Sequence, residues 1–138
     1  MAVSEIFSRF GENYFRKLES DLLTELENRQ QPLVIATGGG MPVFADNLER
    51  LSKLGITVYL YTNTGVLEKR LKGQQDRPLL ALHQGETLQD KLSAQLSKRE
   101  STYQKASLQI DTSQLTLEEV VERILTTVKL QAITKEGS

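Results

Sequence analysis

Apolar side chains recur along the chain with helical spacing in its first part. Steps of three and four residues predict an N-terminal helix, with Gly11 as a break, whose apolar stripe contains Phe7, Phe10, Tyr14, Leu18, Leu22 and Leu26. A short apolar run follows between Pro32 and three glycines, and it predicts a buried strand over Leu33–Thr37. Helical spacing returns over residues 41–54, where Gly55 is placed as a stop.

The second part of the chain repeats this alternation. Ile56–Tyr61 is rich in β-branched and aromatic residues and predicts a strand, after which Thr64 is expected to cap a short helix. A helix is predicted from Leu88 to Tyr103, a weak strand at Ser107–Asp111, and a final helix whose apolar face contains Leu117, Val121, Ile124 and Val128. Alternating strands and helices predict an α/β domain with a parallel sheet.

Composition and charge narrow the function classes. The 138 residues contain 17 Lys+Arg and 18 Asp+Glu, for a net charge of -1, so a generally basic nucleic-acid surface is not expected. Cysteine is absent, which excludes disulfide scaffolds, thiolate metal sites and cysteine nucleophiles. No apolar run approaches the roughly 18 residues of a membrane span. We expect a cytoplasmic protein without a membrane or nucleic-acid partner.

Three consecutive glycines form the first candidate for chemistry. The run Gly38–Gly40 lies between the predicted strand and the helix predicted after it. Open α/β sheets bind their ligands at this end of the strands. Bare backbone N–H groups there can approach an anionic ligand, whereas a tight turn with positive φ is the alternative. The run is not a Walker A loop, because no glycine of the chain precedes a lysine.

Three arginines are the second candidates. Arg99 falls on the inward stripe of its predicted helix, where it either clamps an anion or extends its head group to solvent. Arg16 has glutamates four residues before and three after it, a spacing that also suits a solvated ion-pair face. Arg77 lies in a polar segment of about residues 73–87, read as a lid, where it could reach a transferring phosphate or remain solvated. The single histidine, His83, is interpreted as an exposed loop residue.

Several segments together resemble the shikimate kinase family. The ordered matches run from about Ser4 to about Val128 and comprise Ser4-Glu-Ile-Phe7, Gly11-Glu12, Phe15-Arg16, Glu19, Ile35-Ala-Thr-Gly-Gly-Gly40, Val58-Tyr-Leu60, Arg77-Pro-Leu-Leu80, and Lys98-Arg99 with Tyr103. The resemblance implies a P-loop kinase-like fold with helices on both faces of the sheet, related to nucleoside monophosphate kinases. It also implies ATP-dependent phosphorylation of shikimate with Mg²⁺, and a monomer when the protein is complete.

The resemblance assigns roles to individual residues. It implies that Arg16 and Arg99 hold the substrate carboxylate, that Glu19 orients Arg16, and that the backbone of Gly38, Gly39 and Gly40 contacts the same substrate. Arg77 matches the lid arginine that binds ATP phosphates. Paired guanidinium groups suit a carboxylate, since bidentate charged bonds fix orientation as well as charge.

The chain departs from the family in its phosphate and metal residues. Shikimate kinases begin with a strand, a Walker A loop ending Gly-Lys-Ser/Thr and an Asp-x-Asp strand, and neither motif occurs here. We therefore expect residues 1–130 to form a shikimate kinase-like domain that lacks the N-terminal βαβ part, followed by a polar tail over 131–138. In the family that first strand lies between the strands matched by Leu33–Thr37 and Ile56–Tyr61, so both are expected to have an unpaired edge.

Three functions stay open on this evidence. The first is a shikimate kinase that is inactive as this chain, with Met1 an internal methionine and the missing motifs encoded in frame upstream. The second is a non-catalytic binding or regulatory module that keeps the Arg16, Gly38–Gly40 and Arg99 set. The third is another small-molecule kinase of the same architecture. In each case the sequence offers no catalytic residue and no metal ligand.

Overall fold

The structure is a computed structural model that describes residues 1–72 and 84–137. Arg77, His83 and most of the predicted lid lie outside the described residues. In chain order, the helices and strands are α1 (Val3–Glu27), α2 (Asn47–Leu54), β1 (Val58–Tyr61), α3 (Thr64–Lys72), α4 (Leu88–Tyr103), β2 (Leu108–Asp111) and α5 (Leu117–Glu136). This α/β arrangement confirms the predicted fold class.

β1 and β2 form a parallel two-stranded sheet. Val58 pairs with Leu108 and Tyr61 with Asp111 at the two ends of the ladder. The strands lie far apart in sequence and are joined through α3 and α4, as parallel pairing requires a crossover connection. The side of β1 away from β2 has no strand partner among the described residues, as expected.

The strand predicted over Leu33–Thr37 is not formed, and that prediction is wrong for the described chain. The segment makes no ladder, and Val34 within it is fully exposed, at 102%. A strand needs a neighbour that accepts and donates its backbone hydrogen bonds, and residues 1–72 and 84–137 supply none beside this segment. The apolar run has the sequence pattern of a strand, but among the described residues no neighbouring strand pairs with it.

α1 contains the predicted break at Gly11. The glycine has φ 80° and ψ 170°, a conformation outside the helical region that a residue with a Cβ adopts only at a cost. The helix continues on both sides, and the tilted ring pair of Phe7 and Phe15 spans the break with centroids 4.9 Å apart. The turn at Gly11 thus sets the direction of the segment that carries Glu12, Arg16 and Glu19.

α1 packs against α2 through a small core. Leu23, Met41 and Leu51 are buried together, with the half-buried Leu26 against them. Arg50 of α2 reinforces the contact: its Nε and Nη2 donate to the two carboxylate oxygens of Glu27 at 2.7 and 2.9 Å. The hydrogen bond from Arg50 lowers the pKa of Glu27, and it raises the pKa of Arg50 itself.

The ends of two predicted helices differ from the expectation. Helical spacing over residues 41–54 becomes a helix only from Asn47, because residues 39–46 form turns and a bend. Thr64 is the first residue of α3 rather than its cap, since the side-chain oxygen of Asn63 accepts the Gly65 N–H at 2.9 Å. At the other end of the chain, α5 continues to Glu136, so most of the predicted polar tail is helical.

The apolar faces of two long helices are less covered than their spacing predicts. On α1 the exposed members of the stripe are Phe10, Tyr14, Leu18 and Leu22. On α5 the buried residue is Val120. Of the face predicted through Leu117, Val121, Ile124 and Val128, Ile124 is half-buried and the other three are exposed, so the packed face is displaced from the predicted one. The Thr116 side-chain oxygen accepts the Glu119 N–H, which caps the start of α5. None of the helices described is long and apolar enough to cross a membrane.

Candidate functional site

An open cleft of about 210 Å³ lies between α1, α4 and the turn that contains Gly38, Gly39 and Gly40, called the glycine turn below. It contains two of the predicted arginines and the last glycine of the run, and its lining residues are Glu12, Asn13, Arg16, Gly40, Val43, Phe44 and Arg99. These residues come from three separated parts of the sequence. The fold thus brings Arg16, Gly40 and Arg99 to one place, as the sequence predicts.

Arg16 is held in the cleft wall by two glutamates of its own helix. Its Nη1 donates to Oε2 of Glu19 at 2.6 Å and its Nη2 to Oε1 of Glu12 at 3.1 Å, while Cζ lies 5.4 Å from the Phe15 ring centroid. The Arg16 side chain is only 12% exposed. Desolvation lowers the pKa of Arg16, but the hydrogen bonds and charges of Glu19 and Glu12 outweigh it, so the pKa lies above its ordinary value. The guanidinium is charged and fixed in direction.

The glycine turn fits against both arginines because it has no side chains. A Cβ at Gly40 would overlap the Arg16 guanidinium, and one at Gly39 would lie 2.8 Å from Nη1 of Arg99. At Gly38 a Cβ would lie 3.7 Å from Oε1 of Glu19, an ordinary contact. Positive φ is not the reason for this run, since the described glycines with positive φ are Gly11 and Gly85. Glycine is needed at positions 39 and 40 because the two arginines approach the backbone closely there. The alternative of a turn with positive φ does not apply to this run.

Arg99 approaches the cleft from α4 and differs from Arg16 in its surroundings. Its guanidinium lies beside Gly39, and the residue is half-buried. Within residues 1–72 and 84–137 no carboxylate forms an ion pair with it. The cleft therefore combines one arginine that glutamates already neutralise with one whose positive charge has no carboxylate partner in the described ranges, an arrangement suited to an anionic ligand.

Tyr103 contributes a contact whose geometry the sequence did not reveal. Its hydroxyl donates a hydrogen bond to the Gly39 carbonyl oxygen, and its ring packs on Tyr59 of β1 with centroids 5.1 Å apart. Desolvation raises the pKa of Tyr59, with the charge of Glu100 adding to the shift. The four-residue step from Arg99 to Tyr103 places both on one face of α4, which is the signal in the sequence for this pairing.

Asn47 is a second positioning residue that sequence reasoning missed. Its side chain is fully buried, accepts from the Ser20 hydroxyl at 3.0 Å and donates to the Met41 carbonyl at 2.9 Å. Ser20 follows Glu19 on α1, so Asn47 ties the end of the glycine turn to the helix of Arg16. A buried amide must satisfy its hydrogen bonds, and this one does so by fixing the turn. Its position at the start of α2 gives no periodic signal.

A larger cavity lies elsewhere and contains none of the predicted residues. It measures about 430 Å³, is open, and lies between β2 and α5 beside Gln109, Glu122 and Arg123. Over the residues that the structure describes, no group of three His, Asp or Glu side chains could hold a metal ion. The cleft at Arg16 is the smaller of the two, but it is the one with converging charged groups and close backbone approach, so we take it as the candidate site.

Comparison with known sequences identifies what the chain resembles. A family model described as shikimate kinase matches residues 1–129. A protein named shikimate kinase from Thermodesulfovibrio yellowstonii is 41% identical over 125 residues, which cover 91% of this chain and 70% of that relative. Another from Parabacteroides distasonis is 40% identical over 124 residues, covering 89% of this chain and 71% of that relative.

Solved structures give the same result for the fold. The crystal structure of shikimate kinase from Bacteroides thetaiotaomicron matches with a TM-score of 0.78 and 32% identity, over 95% of this chain and 75% of that one. Shikimate kinase from Aquifex aeolicus matches with a TM-score of 0.76 and 32% identity, over 96% of this chain and 74% of that one. Sequence and structure therefore point to one family.

Proposed function

The chain belongs to the shikimate kinase family, and we propose that the cleft between Arg16, the glycine turn and Arg99 binds the shikimate of an ATP-dependent phosphorylation of the 3-hydroxyl. The observation that carries the proposal is the convergence of both arginines and Gly40 on one cleft. Two guanidinium groups on a single carboxylate provide charge and direction together. A small carboxylated polyol suits such a cleft better than a neutral sugar, for which two arginines would have no counter-charge.

Each predicted residue has a role under this proposal. Arg99 supplies the uncompensated charge, and Arg16 supplies hydrogen-bond donors held in direction by Glu19. Gly38, Gly39 and Gly40 expose backbone to the ligand, and the absence of side chains at the last two leaves room for the arginines. Arg77 is assigned to the phosphates of ATP through its match to the family's lid arginine. The close contact of Gly39 with Arg99 and Tyr103 supports a turn whose shape is set before the ligand arrives.

Apart from Arg77, the residues of the chain do not fit the ATP phosphates and Mg²⁺ of the family reaction. The sequence contains no Gly-Lys dipeptide and no two aspartates separated by one residue. A three-residue acidic or histidine cluster is likewise not found in the described ranges. Phosphoryl transfer depends on a backbone cradle, a lysine and metal ligands to neutralise charge. We therefore expect these 138 residues to bind shikimate without phosphorylating it, and no step through ATP or Mg²⁺ is assigned to them.

Calorimetric titration of the 138-residue chain with shikimate tests the proposal. We expect one binding site per chain, and at least tenfold weaker binding of the methyl ester of shikimate, which keeps the ring and hydroxyl groups but loses the charge. A coupled assay for ADP formation should show no turnover. Failure of shikimate to bind would overturn the proposal.

A chimera separates a kinase from a non-catalytic module. The N-terminal segment of a related shikimate kinase, containing its Walker A and Asp-x-Asp motifs, would be fused ahead of residue 1. If the cleft belongs to a kinase, the chimera should phosphorylate shikimate and lose that activity when its Walker A lysine is replaced by methionine. A chimera that folds and binds shikimate without turnover would favour the non-catalytic module.

A further inference from the structure

Glu12 and Glu19 compete for the same guanidinium but differ in their surroundings. Glu19 is 13% exposed and lies 2.6 Å from Nη1 of Arg16, whereas Glu12 is 62% exposed and lies 3.1 Å from Nη2. A short, shielded ion pair is harder to break than a longer, solvated one, since water screens the second and competes for its atoms. Of the two glutamates, Glu12 is the one that a ligand can displace.

The ion pair of Arg16 with Glu12 lies at the cleft. The guanidinium of Arg16 lies against the position of a Cβ at Gly40, and Glu12 belongs to the lining of the cleft whereas Glu19 does not. A carboxylate that binds an arginine with two parallel hydrogen bonds needs two neighbouring N–H donors. Nη2 carries two N–H donors, so a ligand carboxylate on the second donor would lie beside the Glu12 carboxylate on the first, and the two like charges would repel each other.

We propose that Glu12 is an internal competitor for the ligand carboxylate at Nη2 of Arg16, displaced when the ligand binds, and that it thereby sets the affinity of the cleft. The inference rests on the proposed function, because it concerns the same carboxylate. It adds a residue that weakens binding instead of contributing to it. The exposure of Glu12 allows the side chain to swing into solvent without disturbing α1.

Charge at the cleft supports this role. Arg16 with Glu12 and Glu19 carries a formal charge of −1, and Arg99 brings the cleft to zero. Neutralising Glu12 alone would leave a net positive cleft while the shielded Glu19 pair keeps Arg16 in place. The gain should diminish with added salt, because the Debye length falls from about 30 Å at 0.01 M to about 10 Å at 0.1 M.

Calorimetric titration of Glu12→Gln and Glu12→Ala with shikimate tests the inference in the 138-residue chain. Both should bind shikimate about three- to tenfold more tightly than the unmodified chain at low salt, and by a smaller factor at high salt. The methyl ester of shikimate should show no gain. Glu5→Gln is the matched control: Glu5 pairs with Arg9 at 3.3 Å with the same four-residue spacing on the same helix, outside the cleft. It changes the net charge equally and should leave the affinity unchanged.

The outcomes separate this inference from the proposed function. Binding of shikimate by the unmodified chain tests the function alone. If that chain binds and both Glu12 variants bind equally well or more weakly, the inference is overturned, and weaker binding of the ester as well would show that Glu12 contacts the ligand directly. An equal gain in shikimate affinity in Glu5→Gln would show that the effect comes from net charge alone, and it would also overturn the inference. Absence of binding in every variant overturns both.

Discussion

The hydroxyl group of Tyr103 donates a hydrogen bond to the carbonyl oxygen of Gly39, which is 64 residues away in sequence. This bond joins α4 to the glycine turn at the residue that also lies against Arg99. Tyr59 supports the ring from the sheet. The relative position of the turn and the α4 arginine is thus fixed by a residue that has no direct role in holding charge.

Replacing Tyr103 by phenylalanine should loosen the turn. The carbonyl of Gly39 would lose its donor, at a cost of about 0.5–1.5 kcal/mol in the free energy of unfolding, while the ring packing on Tyr59 is retained. We expect shikimate affinity to fall about three- to tenfold in calorimetric titration. Tyr14→Phe is the control, because Tyr14 is 44% exposed on α1 and has no hydrogen-bond partner among the described residues. Equal effects of the two substitutions would contradict the role of Tyr103.

Lysine in place of either cleft arginine should weaken shikimate binding while preserving charge. A point charge cannot reproduce the planar guanidinium fork, and losing a charged hydrogen bond costs about 1.5–3 kcal/mol, so Arg16→Lys and Arg99→Lys should each reduce affinity ten- to hundredfold. Arg9→Lys, at the exposed pair with Glu5, is the control and should bind normally. Unchanged dissociation constants in both cleft variants would refute the carboxylate clamp.

A methyl group at Gly40 should displace Arg16. The added Cβ overlaps the guanidinium, which the bonds to Glu19 and Glu12 hold in place, so Gly40→Ala should lower stability by about 1–3 kcal/mol and abolish measurable shikimate binding. Gly55→Ala is the matched control: no atom lies within 4 Å of its Cβ position, and its φ of 174° is extended backbone. Urea unfolding and titration of both variants check the prediction, and it fails if Gly40→Ala behaves like the control.

The Glu27–Arg50 pair between α1 and α2 should make stability depend on pH on the acid side. Arg50 lowers the pKa of Glu27 in the folded chain, so the pair's contribution is complete above the ordinary glutamate pKa of about 4.3 and is lost as pH falls through the lowered value. Thermal unfolding measured between neutral pH and about pH 3 should therefore lose less stability in Glu27→Gln. In an Arg50→Gln background the same substitution should change nothing, and a residual effect there would assign the dependence to other groups.

Periodicity predicted the elements whose partners lie within the described chain. α4 extends from Leu88 to Tyr103 as its apolar spacing indicates, and the break of α1 occurs at Gly11. The Leu33–Thr37 run has the pattern of a strand without a neighbour to pair with, and a pattern cannot report that absence. On α5 the apolar spacing predicted a face that contains Leu117 and Val121, whereas packing buries Val120, which lies beside that face.

The residues that line the candidate site were easier to predict from the sequence than the residues that hold them in position. The resemblance to the shikimate kinase family selected Arg16, Glu19, the glycines and Arg99, and the structure brings these residues together, although their roles toward a ligand stay predictions. Asn47 could not be found in this way, because its importance comes from bonds to Ser20 and to the Met41 carbonyl, which depend on how α1 and α2 cross. A side chain that acts through hydrogen bonds to distant residues cannot be recognised from the spacing of residue types in a sequence.

The position of the cleft has a consequence for how the chain unfolds. Arg16 lies on α1, which packs on α2 through Leu23, Met41 and Leu51, whereas Arg99 lies on α4, which contacts α3, and the two pairs of helices share few contacts. Parts of a chain that share few contacts can open independently, each with its own hydrogen-exchange free energy. A carboxylate held by both arginines would act as a non-covalent cross-link between the two parts, so that neither could open without first releasing the ligand. Substrate would then make the chain unfold as one cooperative unit.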